Sequence, residues 1–271
     1  MKIIAFCVLD ESYIDPSIVA LRSFCQWNSG IEVLCYAEKG ANYSRLRQAL
    51  NGYLVTIKEV AFPKEEIFDK AGGKYLLIPN SAMPAISQRL ICLDELKEKY
   101  DLIINFDLDT LFCNSIKNAL VGADANHIYG VDEKENRDRW INNFGLNEWI
   151  PSGRYFNTGF VIYGCEVLKK FSLYKTYLKA MKETPERFNC PEQDFLNYFL
   201  HEHLVLLKPC YNLMFTDRLY SSLAPVMVHF YGSLKPWNSA YMGNADFYYD
   251  RYRKATRQCR RWLSSNFMSD C

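Results

Sequence analysis

The sequence predicts an α/β domain built on a mixed, mainly parallel central sheet, and three observations carry that expectation. Strand-like apolar runs alternate with helix-like segments through the first half of the chain. Several runs are β-branched and uninterrupted, as expected of strands buried on both faces. No internal repeat or Pro/Gly-rich linker divides the 271 residues, which suffice for one large domain with a core of ordinary depth.

Residues 2–9 read as the first strand, apolar until Asp10-Glu11 interrupts them. A secretory leader needs a longer apolar region and a small-residue cleavage site, so a buried strand is expected here. Residues 16–27 read as a helix with Asp15 as N-cap and Pro16 at its first position. Residues 31–36 form a second expected strand, 43–50 a helix, 53–60 a third strand, and 87–99 a helix leading into a strand at 102–106. Beyond Asp109 the pattern is mixed: strands at 126–131 and 155–163, helices at 166–182 and 191–201. Such alternation predicts a sheet covered by helices on both faces. Ligands in that architecture sit outside the carboxyl ends of the strands, where Asp10 and Asp107 emerge.

Composition narrows the function classes. Hydrophobic residues at 49% and charged residues at 23% fit a soluble globular protein. A net charge of +1 removes any global electrostatic case for binding nucleic acid, and none is expected as a partner. The 15% of aromatics suits stacking on sugars or bases and equally suits a dense core. Ten cysteines are scattered without the paired spacing of a zinc site. A reducing cytoplasm is the expected compartment, and no stretch has the apolar length of a membrane span.

The most informative residues are Asp107-Leu108-Asp109-Thr110, which follow the apolar run at 102–106. Alternation along an extended backbone aims Asp107 and Asp109 to one side, where both can reach one hard cation. A strand-to-turn transition capped by Asp explains the same residues equally well.

Five segments in order decide between the two. They are Val8-Leu9-Asp10-Glu11-Ser12-Tyr13, Asn105-Phe106-Asp107-Leu108-Asp109-Thr110 and Tyr155-Phe156-Asn157-Thr158-Gly159-Phe160, then Pro191-Glu192-Gln193-Asp194-Phe195-Leu196-Asn197 and His229-Phe230-Tyr231-Gly232-Ser233-Leu234-Lys235-Pro236-Trp237. In these residues the chain resembles glycosyltransferase family 8, retaining sugar transferases that include bacterial lipopolysaccharide galactosyl- and glucosyltransferases and glycogenin. The resemblance spans residues 1–237 and implies a single GT-A-type nucleotide-diphospho-sugar transferase domain, with residues 238–271 as a separate tail.

The resemblance implies a UDP-hexose donor and a glycan or lipid-linked glycan acceptor, as in lipopolysaccharide or other surface polysaccharide synthesis. Asp107, Asp109 and His229 would ligate a divalent ion that neutralises the departing diphosphate. One imidazole among oxygen ligands favours Mn²⁺ over Mg²⁺. Lys235, with Gly232 before it, would place a second positive charge on the diphosphate. Asp10 and Tyr13 fall where the family holds the nucleoside, although Val8, Leu9 and Ser12 depart from its usual small residues and Asn. Arg89 falls near the family's donor-binding Arg, one residue further along. Asp132, Asn157, Thr158, Glu192 and Gln193, with Asp107 and Leu108, complete the expected donor contacts. Glu192, Gln193 and Asp194 are the expected catalytic group. Gln193, an amide and a poor nucleophile, would lie nearest the anomeric carbon, which favours same-face attack over a covalent intermediate. The competing reading as a sugar nucleotidyltransferase wants a Gly-rich phosphate loop near the first strand, and there is none.

Residues 247–263 set six basic side chains against one acid, interleaved with Tyr and Trp. That composition predicts peripheral contact with an anionic membrane, such as the inner face of a plasma membrane. It also suits a nucleic-acid patch or a solvated helix packed on the domain.

Overall fold

The computed structural model describes residues 1–64, 83–133, 153–185, 188, 190–214, 224–232, 235–237, 252–254 and 257. Strand β1 (Ile3–Leu9) is apolar at every position and lies in the interior of the sheet, because neither of its faces can meet water. It pairs in parallel with β2 (Val33–Glu38), which pairs in parallel with β3 (Val55–Val60). On its other edge β1 pairs in parallel with β4 (Leu102–Phe106). The sheet continues through β7 (Phe156–Gly164), antiparallel to both β4 and β6 (Ile128–Asp132). The short β8 (Leu204–Leu206) closes that edge, so seven strands run in the order β3-β2-β1-β4-β7-β6-β8. The expected α/β class with a mainly parallel sheet stands.

A second sheet has no counterpart in the sequence reading. Strands β5 (Thr110–Phe112), β9 (Leu213–Met214) and β10 (Met227–His229) form it, with β10 in the middle. None exceeds three residues, too few for any periodicity to register.

One face of the main sheet is covered by α1 (Ile14–Trp27) and α2 (Ser44–Ala49), with Leu21, Phe24 and Leu46 packing on Ala5, Cys7 and Phe106. The other face carries α3 (Met83–Leu96), α6 (Leu173–Glu183) and α7 (Pro191–Leu200); α4 (Lys117–Leu120) and α5 (Cys165–Leu168) are single turns. The eight described cysteines are free thiols, and six of them are buried. Among the described residues no helix is long and apolar enough to cross a membrane.

Helix boundaries differ from expectation at α1, at α3, which spans Met83–Leu96 rather than 87–99, and between α5 and α6. Helix α1 begins at Ile14, and the capping carboxylate upstream is Asp10, which accepts from Ser12 N at 2.8 Å and opens a 3₁₀ turn over Glu11–Tyr13. Asp15 therefore lies inside the first turn rather than at the N-cap. Proline is tolerated throughout that turn, because its N–H groups have no partner within the helix anyway, so Pro16 does not mark the first position. The single helix expected at 166–182 is broken between α5 and α6. The break is stabilised from another element: Asp94 of α3 accepts from the backbone N–H groups of Leu173 and Tyr174 at 3.0 and 2.9 Å. A cap supplied across the fold has no local signal.

Candidate metal and donor site

The site assembles where the two sheets meet. After β4 the backbone N–H of Asp107 still donates to Gly159 O at 2.9 Å. The chain then bends, with Thr110 Oγ1 donating to Asp107 O at 2.7 Å, and enters β5. The two aspartates thus converge across a bend and not, as alternation suggested, along one extended strand. Strand β5 pairs antiparallel with β10 so that Thr110 stands opposite His229, and Phe230 N donates to Asp109 O at 2.9 Å. That register carries His229 to the two carboxylates from more than a hundred residues away. Leu108, between them, turns its side chain into the core.

One donor atom from each of Asp107, Asp109 and His229 lies within 4.8 Å of the others. His229 Nε2 is 3.2 Å from Asp109 Oδ1 and 3.7 Å from Asp107 Oδ2. Although Nε2 is close, Asp109 Oδ1 is buried and receives no hydrogen bond of normal geometry. Burying an acceptor in that condition is costly, and a cation shared with the imidazole relieves it. Gly159 makes room for the ring: a Cβ there would stand 2.2 Å from His229 Cε1 and 2.4 Å from Nδ1. Two carboxylates and one imidazole suit a hard to intermediate divalent ion, so the residues fit the expected metal.

Lys235 Nζ donates to Asp109 Oδ2 at 2.5 Å and to Phe230 O at 2.7 Å. Gly232, at φ +78, supplies the left-handed backbone between His229 and Lys235. Burial opposes charge on Asp109, but His229 and Lys235 outweigh it and hold the carboxyl well below its ordinary range. Burial likewise opposes the His229 imidazolium, and Asp109 and Asp107 more than offset it, so the ring's pKa is raised.

Arg89 comes from α3 and is no surface charge. Its guanidinium donates to Asp107 Oδ1 at 2.6 Å and to both Glu192 oxygens at 3.2 and 2.9 Å. Burial works against this cation, but Asp107 and Glu192 hold its pKa above the ordinary value. Burial also pushes Glu192 up to about 7, with Arg89 opposing and Asp107 reinforcing the shift. Two carboxylates share one guanidinium, and Asp107 makes the shorter contact.

Helix α7 delivers Glu192, Gln193 and Asp194 in its first turn, where acids complement the helix dipole. All three are nevertheless buried. Gln193 Oε1 accepts from Thr158 N at 3.0 Å and Asn157 Nδ2 at 3.2 Å, while Nε2 donates to Glu133 Oε2 at 2.8 Å and Tyr155 Oη at 2.9 Å. Asp194 accepts from Tyr155 Oη at 2.5 Å and from Cys190 N at 2.8 Å. Tyr13 packs its ring edge-on against Trp237 at 5.7 Å. Burial, then the charges of Asp109, Asp107 and Asp10, push its phenol above the ordinary range. Asp10 is engaged with Ser12 and is not among the clustered donor atoms of Asp107, Asp109 and His229. Asp132 ends β6 in register with Phe156.

Sequence reasoning missed Glu133, Tyr155 and Asn212, all buried among these groups. Tyr155 lay inside a segment already singled out, but nothing in the spacing of Glu133 or Asn212 marked either residue. Of the tail, only 252–254 and 257 are described. Tyr252 is buried against Phe230 and Trp237, with ring centroids 5.3 and 5.6 Å apart, so the tail packs on the domain at that residue.

Solved structures share this architecture. Galactosyltransferase LgtC, in complex with donor and acceptor sugar analogues, superposes with a TM-score of 0.72 at 18% identity, covering 94% of this chain and 95% of its own. Glycosyltransferase GlyE of Streptococcus pneumoniae TIGR4 gives 0.65 at 14% identity, over 98% of this chain and 64% of its own. Mouse xyloside xylosyltransferase 1 gives 0.56 at 14%, over 90% and 100%. No sequence among the curated proteins matches. Sheet order and structural likeness define a fold of the GT-A type. The chain belongs to glycosyl transferase family 8, whose model matches residues 3–240.

Proposed function

We propose that this protein is a retaining, metal-dependent hexosyltransferase that moves galactose or glucose from a UDP-sugar to a glycan or lipid-linked oligosaccharide in surface polysaccharide synthesis. The observation that carries the reading is the meeting of Asp107, Asp109 and His229 beside Lys235, in a family 8 chain. Asp107, Asp109 and His229 would hold Mn²⁺, or Mg²⁺ less well, which supplies Lewis-acid charge to a departing diphosphate.

The remaining work falls to side chains of the chain itself. Lys235 exchanges Asp109 Oδ2 for a diphosphate oxygen and adds a second positive charge. Arg89, Asp132, Asn157, Glu192 and Gln193 hydrogen-bond the donor hexose, and a missing hydroxyl would leave buried groups unpaired. Asp10 and Tyr13 hold the nucleoside. Both Glu192 oxygens are engaged by Arg89, and Asp194 is engaged by Tyr155 and Cys190 N, which disfavours either as a covalent nucleophile. In same-face attack the acceptor oxygen bonds to the anomeric carbon as the bond to the diphosphate breaks. The acceptor proton passes to a diphosphate oxygen.

A UDP-release assay across UDP-hexoses, with Mn²⁺ or with chelator, tests the reading. Release confined to one donor and abolished by chelation is expected. Sugar binding with no turnover under any metal would mark a silent carbohydrate-binding protein and overturn it. We further propose that cations of the tail touch an anionic membrane at the cytoplasmic face. Replacing Lys254, Arg257, Arg260 and Arg261 with Gln keeps Tyr252 seated and should reduce sedimentation with phosphatidylserine vesicles. Unchanged sedimentation removes the membrane role.

A further inference from the structure

We infer that Asn212 is a positioning residue that fixes the tautomer of His229, presenting Nε2 to the metal through a one-directional chain of buried amides. The inference rests on His229 being a metal ligand. The backbone N–H of Gly159 donates to Asn157 Oδ1 at 2.9 Å, so that atom is the carbonyl oxygen. The Asn157 amide nitrogen then faces Glu133 Oε2 at 3.0 Å, an acceptor that suits it. Asn157 Oδ1 can receive only a donor from its next neighbour, which is Asn212 Nδ2 at 2.8 Å. The other end of that amide, Asn212 Oδ1, therefore faces His229 Nδ1 at 3.1 Å. A carbonyl oxygen requires an N–H there, so the neutral ring carries its proton on Nδ1. Its lone pair is on Nε2, aimed at Asp109 and Asp107.

Burial gives the chain its rigidity. Asn212 is 1% exposed and His229 3%, so water cannot replace a lost partner. Reversing Asn157 would face like atoms at both of its ends, and reversing Asn212 would set its oxygen against Asn157 Oδ1. Glu133 ties the same chain to the catalytic group, because its Oε2 also accepts from Gln193 Nε2 at 2.8 Å. Gln193 Oε1 is fixed independently by the Thr158 N–H at 3.0 Å. The metal ligand and the amide expected at the anomeric carbon thus belong to one hydrogen-bonded unit.

The test starts with the unsubstituted, metal-free full chain labelled with ¹⁵N-histidine. The chain has four histidines, so the His229 resonances can be assigned by substitution. Long-range ¹H–¹⁵N correlation above the ring's titration should show the Nδ1–H form; an Nε2–H ring overturns the inference without any variant at Asn212. Calorimetric titration with Mn²⁺ follows. Asn212→Leu, similar in volume but without an acceptor, should lower affinity about 10- to 100-fold. Asn212→Asp keeps the acceptor and should retain the tautomer and most of the affinity. Unchanged affinity in Asn212→Leu, or equal loss in both variants, overturns the inference. If the unsubstituted chain fails to bind Mn²⁺, the metal reading falls while the tautomer measurement still judges the amide chain.

Discussion

Asp109→Asn is expected to weaken divalent-cation binding and the proposed sugar transfer together, with turnover about a hundred- to a thousandfold lower. Asp109 serves both halves of the charge clamp: Oδ1 faces the imidazole, and Oδ2 holds Lys235. The amide keeps the shape and loses the anion, so a hard cation loses one of its two carboxylates. Lys235 is left beside a neutral group, with Phe230 O as its other acceptor. The pH dependence follows from the same geometry. A proton and a metal ion would compete for His229 Nε2, and despite burial the two aspartates raise the affinity of the ring for the proton. Mn²⁺ binding by the unsubstituted chain is therefore expected to weaken as pH is lowered through that raised value. Calorimetry at stepped pH, paired with UDP release, checks both outcomes. Tight Mn²⁺ binding by Asp109→Asn would remove the aspartate from the ligand set.

Gly159→Ala is expected to lower stability and metal affinity at once. The added methyl would stand 2.2 Å from His229 Cε1 and 2.8 Å from Asn157 Oδ1, closer than atoms can approach without displacement. Neither neighbour is the loose end of a flexible chain. The ring is buried, and Asn157 is bonded to Glu133, Asn212 and the Gly159 N–H. Overpacking of this kind costs about 1–3 kcal/mol, and each kcal/mol lowers Tm by about 2–4 °C in a chain of this size. The displaced ring should also bind Mn²⁺ at least about tenfold more weakly. Gly30→Ala is the control, since a methyl there meets nothing within 4 Å and no positive φ is involved. Thermal melts and Mn²⁺ titration of the two variants separate a site effect from a general glycine effect. Equal behaviour would show that the imidazole does not depend on Gly159.

Much of the sheet was legible because each long strand carries its own signal. Strands β1 and β4 are apolar at almost every position, and burial on both faces demands that. The second sheet was illegible because its strands of two or three residues hold together only through partners elsewhere in the chain. Arg89 shows the same division within the site. Its place on a helix could be read, but whether it met solvent or two carboxylates depended on the packing of α3 and α7. Asp94 was unremarkable in sequence, yet it caps a helix about eighty residues away and breaks an expected one.

The sequence by itself determined the α/β class and the identities of the metal-binding candidates. Periodic apolar runs and a distinctive order of motifs are local properties, readable one segment at a time. Tertiary structure alone decided how those candidates meet. A bend after β4, the register of β5 on β10 and the missing side chain of Gly159 bring the carboxylates and imidazole together. Glu133 and Asn212 entered the site for the same reason. A lone polar residue has no period, and only burial beside particular donors and acceptors gives it a role.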